Sequence, residues 1–251
     1  MRNRLYVLIP LVLCIAGAGC ATQGEGPVRY PAHGFTSIRP YGVYMRNLSG
    51  DRAFPQGGPL GNPGRDNDTS DIFADGVGGG VEVTADANPF LGVQAGIGYE
   101  YFGADDQTGP TGHTLETEDM HLMPFYVGGT ARLPFWVNWA KWAEDQDRQK
   151  LPDSPIGPAL YAKGNVGGAW LFQQVDVSSS FLGQEHTALD RQVLPLFEGL
   201  AGIEMRIKGF GIWAEGGYRY MIISNNQDFG GFKPKEMSGL LVRAGITIYT
   251  W

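Results

Sequence analysis

Four histidines and a scatter of carboxylates are the first places to look for chemistry in this chain. His33, His113, His121 and His186 lie far apart, and no serine or glutamate accompanies them on one strand in the manner of a catalytic relay. The run DNDTSD at 66–71 spaces carboxylates like the start of a calcium loop. It lacks the glycine at the sixth position and the distal glutamate that such loops require. The run GVGGGVEV at 76–83 has glycines but no following helix, so it makes no phosphate cradle. A different set of charges is more informative. Glu82, Glu100, Glu198, Glu204 and Glu215 alternate with apolar neighbours, as do Arg46, Arg132, Lys163, Arg206, Arg219 and Arg243. Five acids against six bases, spread one or two to a segment, have the chemistry of ion pairing inside an enclosed space. There an unpaired charge is costly and a matched set is not.

The elements that must carry these residues are strands. Apolar and polar residues alternate over eight segments, at about 38–48, 77–87, 90–102, 120–134, 159–175, 193–208, 210–223 and 237–250. One parity gathers the apolar set, such as Leu91, Val93, Ala95, Ile97, Tyr99 and Tyr101, or Phe197, Ala201, Ile203 and Met205. The other gathers the charges, diluted by glycine and small polar residues. In the first segment the same division places Tyr41, Val43 and Met45 on the apolar face and Tyr44 with Arg46 on the polar one. Charges this sparse do not make a solvated surface, whereas an eight-stranded barrel has an interior just wide enough for side chains to fill. The polar face is therefore expected inside and the apolar face outside, against lipid. Aromatics near the strand ends, including Tyr99, Tyr101, Trp170, Phe172, Tyr218, Tyr220 and Phe210, form two girdles.

The connections divide by length. Those near 88–89 and 209 are short, while 49–76, 103–119, 176–192 and 224–236 are long and polar. Short periplasmic turns and long outer loops give that asymmetry, and an even strand number returns both termini to the periplasm. One short-side connection departs from it. Trp136, Trp139 and Trp142 recur every third residue in an insertion at about 135–155, which predicts one short periplasmic-side helix. Its tryptophans would lie at the membrane interface, or else pack across the barrel mouth.

Composition agrees with export to an envelope. The 251 residues include 38 glycines, only six of the 19 basic residues are lysine, and the net charge of −7 excludes a nucleic-acid partner of the usual basic kind. Residues 1–20 read as a signal peptide: Arg2 and Arg4, an apolar run to Ile15, then small residues. The stretch Gly17-Ala18-Gly19-Cys20 resembles a bacterial lipobox, which implies a lipid on Cys20; ordinary cleavage beside Cys20 is the alternative. Cys14 leaves with the signal, so no internal disulfide remains. Residues 21–36 read as a tether, and 37–251 as the barrel.

From 38 to 251 the chain resembles the small eight-stranded outer-membrane barrels of the OmpA-like and opacity-protein kind, a porin superfamily. The resemblance lies in architecture and in the aromatic end formed by Tyr249 and Trp251. It implies an all-β, antiparallel, up-and-down transmembrane barrel, inserted among outer-membrane lipids by the barrel-assembly machinery, which reads the terminal aromatic strand. Thr247, Gly245 and Arg243 are not the apolar residues that signal carries further back, and Tyr249 and Trp251 share the inward parity of Arg243. A bulge near Thr250 would be needed to turn them outward. The expected function is non-enzymatic and without a cofactor or metal: a structural or surface-interaction role, with an extracellular ligand met through long acidic loops. The alternatives are a narrow channel for small solutes and a lipid-modifying enzyme at the outer rim.

Overall fold

Alternation with frequent β-branched and aromatic residues gives a strand whose two faces meet different surroundings. In the computed structural model, which describes residues 36–48, 52–54, 67–68, 73–87, 89–104, 107–108, 114–135, 156–179, 184–207, 209–223 and 236–250, eight long strands do this. They are β1 (Thr36–Asn47), β2 (Phe73–Asp86), β3 (Leu91–Ala104), β4 (Met120–Pro134), β5 (Ile156–Leu171), β6 (Gln192–Ile207), β7 (Phe210–Ile222) and β8 (Glu236–Thr250). Each pairs antiparallel with its chain neighbour, and β1 pairs with β8, so the sheet closes on itself and leaves no edge. All eight expected segments are present. Among the described residues there is no helix. The helix expected over about 135–155, its tryptophans Trp136, Trp139 and Trp142, the signal segment with Cys20, the tether up to residue 35, and Trp251 lie outside the described residues.

The short-turn end is tight. Ala87 N–H donates to Leu91 O at 2.9 Å, and Tyr249 N–H donates to Gly209 O at 3.1 Å. At the other end two of the long connections are more ordered than their polar composition suggests. Gln107–Thr108, Thr114–Thr117, Val175–Ser179 and Gln184–Leu189 pair into a four-stranded sheet, which continues the wall upward beside β3 to β6. In the first long connection Arg52–Phe54 pairs with Asn67–Asp68, so part of the DNDTSD run is a strand.

Parity follows the expected pattern in seven strands and reverses it in β1. Tyr41, Val43 and Met45 are buried in the bore, while Tyr44 and Arg46 are exposed on the outer surface. Arg46 is therefore not a lumen residue. The bore position on β1 belongs to Arg39, which is 1% exposed.

Candidate functional site

The bore is built in three layers, set by how far along its strand each inward residue lies. In the middle layer, eight ionised side chains form one unbroken chain of alternating sign. Arg39 Nη1 meets Glu82 Oε1 at 3.1 Å, Lys163 Nζ meets the same oxygen at 2.7 Å, and Lys163 also reaches Glu215 Oε2 at 2.9 Å. Arg243 connects Glu215, at 3.6 Å, to Glu198, at 2.6 Å. Arg219 Nη2 lies 2.7 Å from Glu198, and Arg219 Nη1 pairs with Glu100. Order along the chain is Arg39, Glu82, Lys163, Glu215, Arg243, Glu198, Arg219, Glu100, four bases and four acids. Seven of the eight strands contribute an ion. The remaining one, β4, contributes Tyr126, which donates to Glu82 at 3.2 Å and accepts from Arg243 at 3.3 Å.

Aromatic faces close around the cations. The Arg39 guanidinium lies 4.2 Å from the Trp213 ring centre, and that of Arg243 lies 5.0 Å from Tyr41 and 4.9 Å from Tyr126. Tyr161 accepts from Arg39 at 3.3 Å and donates to Glu215 at 3.0 Å. Ions this deeply buried are tolerated because every interior member of the chain has an opposite charge on both sides, although Arg243 Nε and Glu215 Oε1 are buried without a hydrogen bond.

Below, toward the short turns, Arg132 pairs with Asp86 at 2.8 Å. Tyr249 O–H donates to Glu204, and the Arg206 guanidinium stacks 3.7 Å from the Tyr249 ring centre. Tyr249 is thus a bore residue, and β8 keeps its pairing with β1 without a bulge as far as Thr250. Above, toward the long loops, the bore turns apolar. Met45, Phe73, Phe102, Met120, Leu122, Leu171, Leu196, Met221, Met237 and Leu241 form one cluster in which none exceeds 1% exposure. Sequence reasoning missed this plug, expecting a polar interior throughout. The expected members Glu82, Glu100, Lys163, Glu198, Glu215, Arg219 and Arg243 meet in the middle layer; Arg132, Glu204 and Arg206 form the lower one; Arg46 joins neither.

The outer surface is the inverse of a soluble protein's. Leu91, Ile97, Val166, Ile203, Ile212 and Val242 are each 50 to 54% exposed. They belong to a continuous apolar belt around all eight strands, far larger than the patches a soluble monomer leaves in water. A charged bore inside an apolar wall has one solvent that suits both faces. This is a transmembrane β-barrel. No family model matches the chain, and no curated protein matches it. Among solved structures it is similar to the attachment invasion locus protein Ail of Yersinia pestis, with 14% identity over 86% of this chain and 99% of that one, at a TM-score of 0.44. It is also similar to Neisserial surface protein A, with 14% identity over 88% and 100% of the two chains (TM-score 0.37), and to the outer membrane protein OprG of Pseudomonas aeruginosa, with 10% over 89% and 99% (TM-score 0.46).

At the outer rim, between the aromatic girdle and the loop sheet, lies an open cleft of about 670 Å³. It is lined by Thr117, Glu118, Asp119, His121, Gln173, Gln174, Asp176 and Arg191. His121, on the outward parity of β4, shares a 2.6 Å hydrogen bond with the Tyr99 hydroxyl, and its ring lies 5.3 Å from Tyr101 and 6.1 Å from Phe172. Asp119 accepts from Ala104 N–H at 2.9 Å and from Tyr101 O–H at 2.8 Å, and these bonds hold its carboxyl below the usual aspartate range. Among the described residues no three His, Cys, Asp or Glu gather as metal ligands.

Proposed function

We propose that this chain is a non-enzymatic protein of the bacterial outer membrane whose sealed barrel is a rigid mount for outer loops that meet partners outside the cell. The observation that carries the reading is the filled bore. Among the described residues an alternating ion chain spans its middle and an apolar plug fills its outer half, where solute would have to pass. The loop sheet supports the second half of the reading, because hydrogen-bonded strands order two of the long connections on the loop side of the barrel. In this reading residues 1–20 are the export signal, Cys20 carries a lipid, and the N-terminus is periplasmic. Trp136, Trp139 and Trp142 anchor at the periplasmic interface. Trp251 carries the signal for the assembly machinery, while Tyr249 serves the bore.

Planar-bilayer recording of the purified barrel tests the reading. Silence is expected for the wild type. Discrete conductance steps that change with Arg219→Ala or Glu215→Ala would establish a channel and overturn it.

A further inference from the structure

The rim cleft differs from a site for a simple cation. Three carboxylates line it, but their oxygens already hold the loops: Asp119 takes Ala104 N–H and Tyr101 O–H, Asp176 takes the Gln174 amide at 2.9 Å on each oxygen, and Glu118 takes Asp176 N–H at 3.3 Å. The groups left over are of mixed kind. The Arg191 guanidinium and the Gln173 amide have no partner among the described residues, and the Thr117 hydroxyl is buried without one. One ring nitrogen of His121 remains beyond its bond to Tyr99. A metal ion or an ammonium group would require acceptors alone. A lining of donors and acceptors together suits a ligand whose own groups do both, and vicinal sugar hydroxyls are such groups.

Position adds the second part. The cleft shares His121 with a run of outward-facing rings. His121 packs on Tyr99, Tyr101 and Phe172, and Phe172 packs on Trp170 with ring centres 6.2 Å apart. Tyr99 and Trp170 are 44% and 45% exposed, so these rings present open faces directly below the polar cleft. Polar groups above and aromatic faces below describe the boundary between lipid headgroups and acyl chains.

We propose that the cleft binds the sugar headgroup of an outer-leaflet glycolipid, with the sugar against Gln173, Arg191 and Thr117 and the first acyl carbons along Phe172 and Trp170. The proposal rests on the outer-membrane reading above. It assigns the cleft a resident lipid, which would brace the loop sheet against the membrane surface.

The test uses the full barrel reconstituted in two vesicle types, phosphatidylcholine alone and phosphatidylcholine with a rough-type lipopolysaccharide. Native mass spectrometry after detergent extraction reads the bound lipid. Wild type is expected to retain one glycolipid, and the pair Gln173→Ala with Arg191→Ala, which lies above the strands, is expected to lose at least tenfold in occupancy. Equal retention by the pair would overturn the proposal. The deacylated core oligosaccharide, titrated by calorimetry, separates the two sources of the same sugar chemistry: binding at least tenfold weaker than the intact lipid is expected, and equal binding would overturn the lipid assignment in favour of a free glycan. Heat-modifiable migration in the same samples reports insertion independently. Its loss would refute the outer-membrane reading itself, whereas intact insertion without lipid retention would refute only the cleft.

Discussion

Arg219 offers the sharpest test of the ion chain, because it lies next to one end of it. Its guanidinium joins Glu198, through Nε at 2.8 Å and Nη2 at 2.7 Å, to the terminal Glu100, and Nη1 also faces Met45 Sδ at 3.9 Å. Arg219→Met would leave Glu100 buried at 1% exposure with its cation gone, while Glu198 kept Arg243 at 2.6 Å and Asn165 at 2.8 Å. One stranded carboxylate costs about 3–5 kcal/mol. Adding Glu100→Leu removes the stranded charge. It leaves six ions that still alternate, from Arg39 to Glu198, and extends the plug of Met45, Phe102 and Leu122 downward by two apolar side chains. The double variant is therefore expected within about 1.5 kcal/mol of wild type, since a buried pair replaced by apolar groups of similar volume is near neutral. Urea unfolding in phospholipid vesicles, followed by circular dichroism, gives both values. A double variant as unstable as Arg219→Met, or more so, would refute the idea that alternation of charge is what makes the bore stable.

Tyr249→Phe removes a hydroxyl that donates to the buried Glu204, and should lower stability by about 1.5–3 kcal/mol in the same assay while leaving the rate of assembly into membranes unchanged. Gly217→Ala drives a Cβ into Gly199 O on the neighbouring strand, so the strands must part; a loss of about 1–3 kcal/mol is expected. Gly199→Ala meets nothing within 4 Å and should be neutral, which thermal melts of the two variants compare directly. Asp119 holds Ala104 N–H as a carboxylate with a depressed pKa. The contribution is therefore present above the unfolded value, about 3.9, and is lost as pH falls through the lower folded one. Exchange of the Ala104 amide, corrected for its intrinsic rate, should stay protected from neutral pH down to about pH 4 and lose protection only below it, and Asp119→Asn should remove that dependence.

The eight strands were legible because a wall between two solvents forces period two on every segment, and seven parities could be read directly. The first strand could not be read that way. Its inward residues Tyr41, Val43 and Met45 serve the aromatic layer and the plug, so they look like a lipid face; its outward Arg46 lies one residue from the loop end of the strand, where a long side chain can carry its charge to the membrane surface. Arg39 was the available signal, a charge well inside the strand on the same parity as Tyr41. The plug itself was hidden for a related reason. Leu196, Leu241 and Leu122 follow the charged parity but are apolar, and alternation alone does not report that a bore changes character along its axis. The rim cleft draws on His121 at the start of β4 and on residues before β4, after β5 and before β6, brought together by the pairing of β5 with β4 and β6 and of Thr114–Thr117 with Val175–Ser179. No spacing in one segment announces it.

The most direct measurement of which face meets lipid is a nitroxide scan along β8 in vesicles. Labels at Leu240, Val242, Ala244, Ile246 and Ile248 are expected to show high oxygen and low nickel-chelate accessibility, greatest in oxygen near the middle of the strand. Labels at Leu241, Arg243 and Thr247 are expected to be shielded from both. Outward labels that the nickel chelate reaches freely would place that face in water, and would contradict the transmembrane barrel.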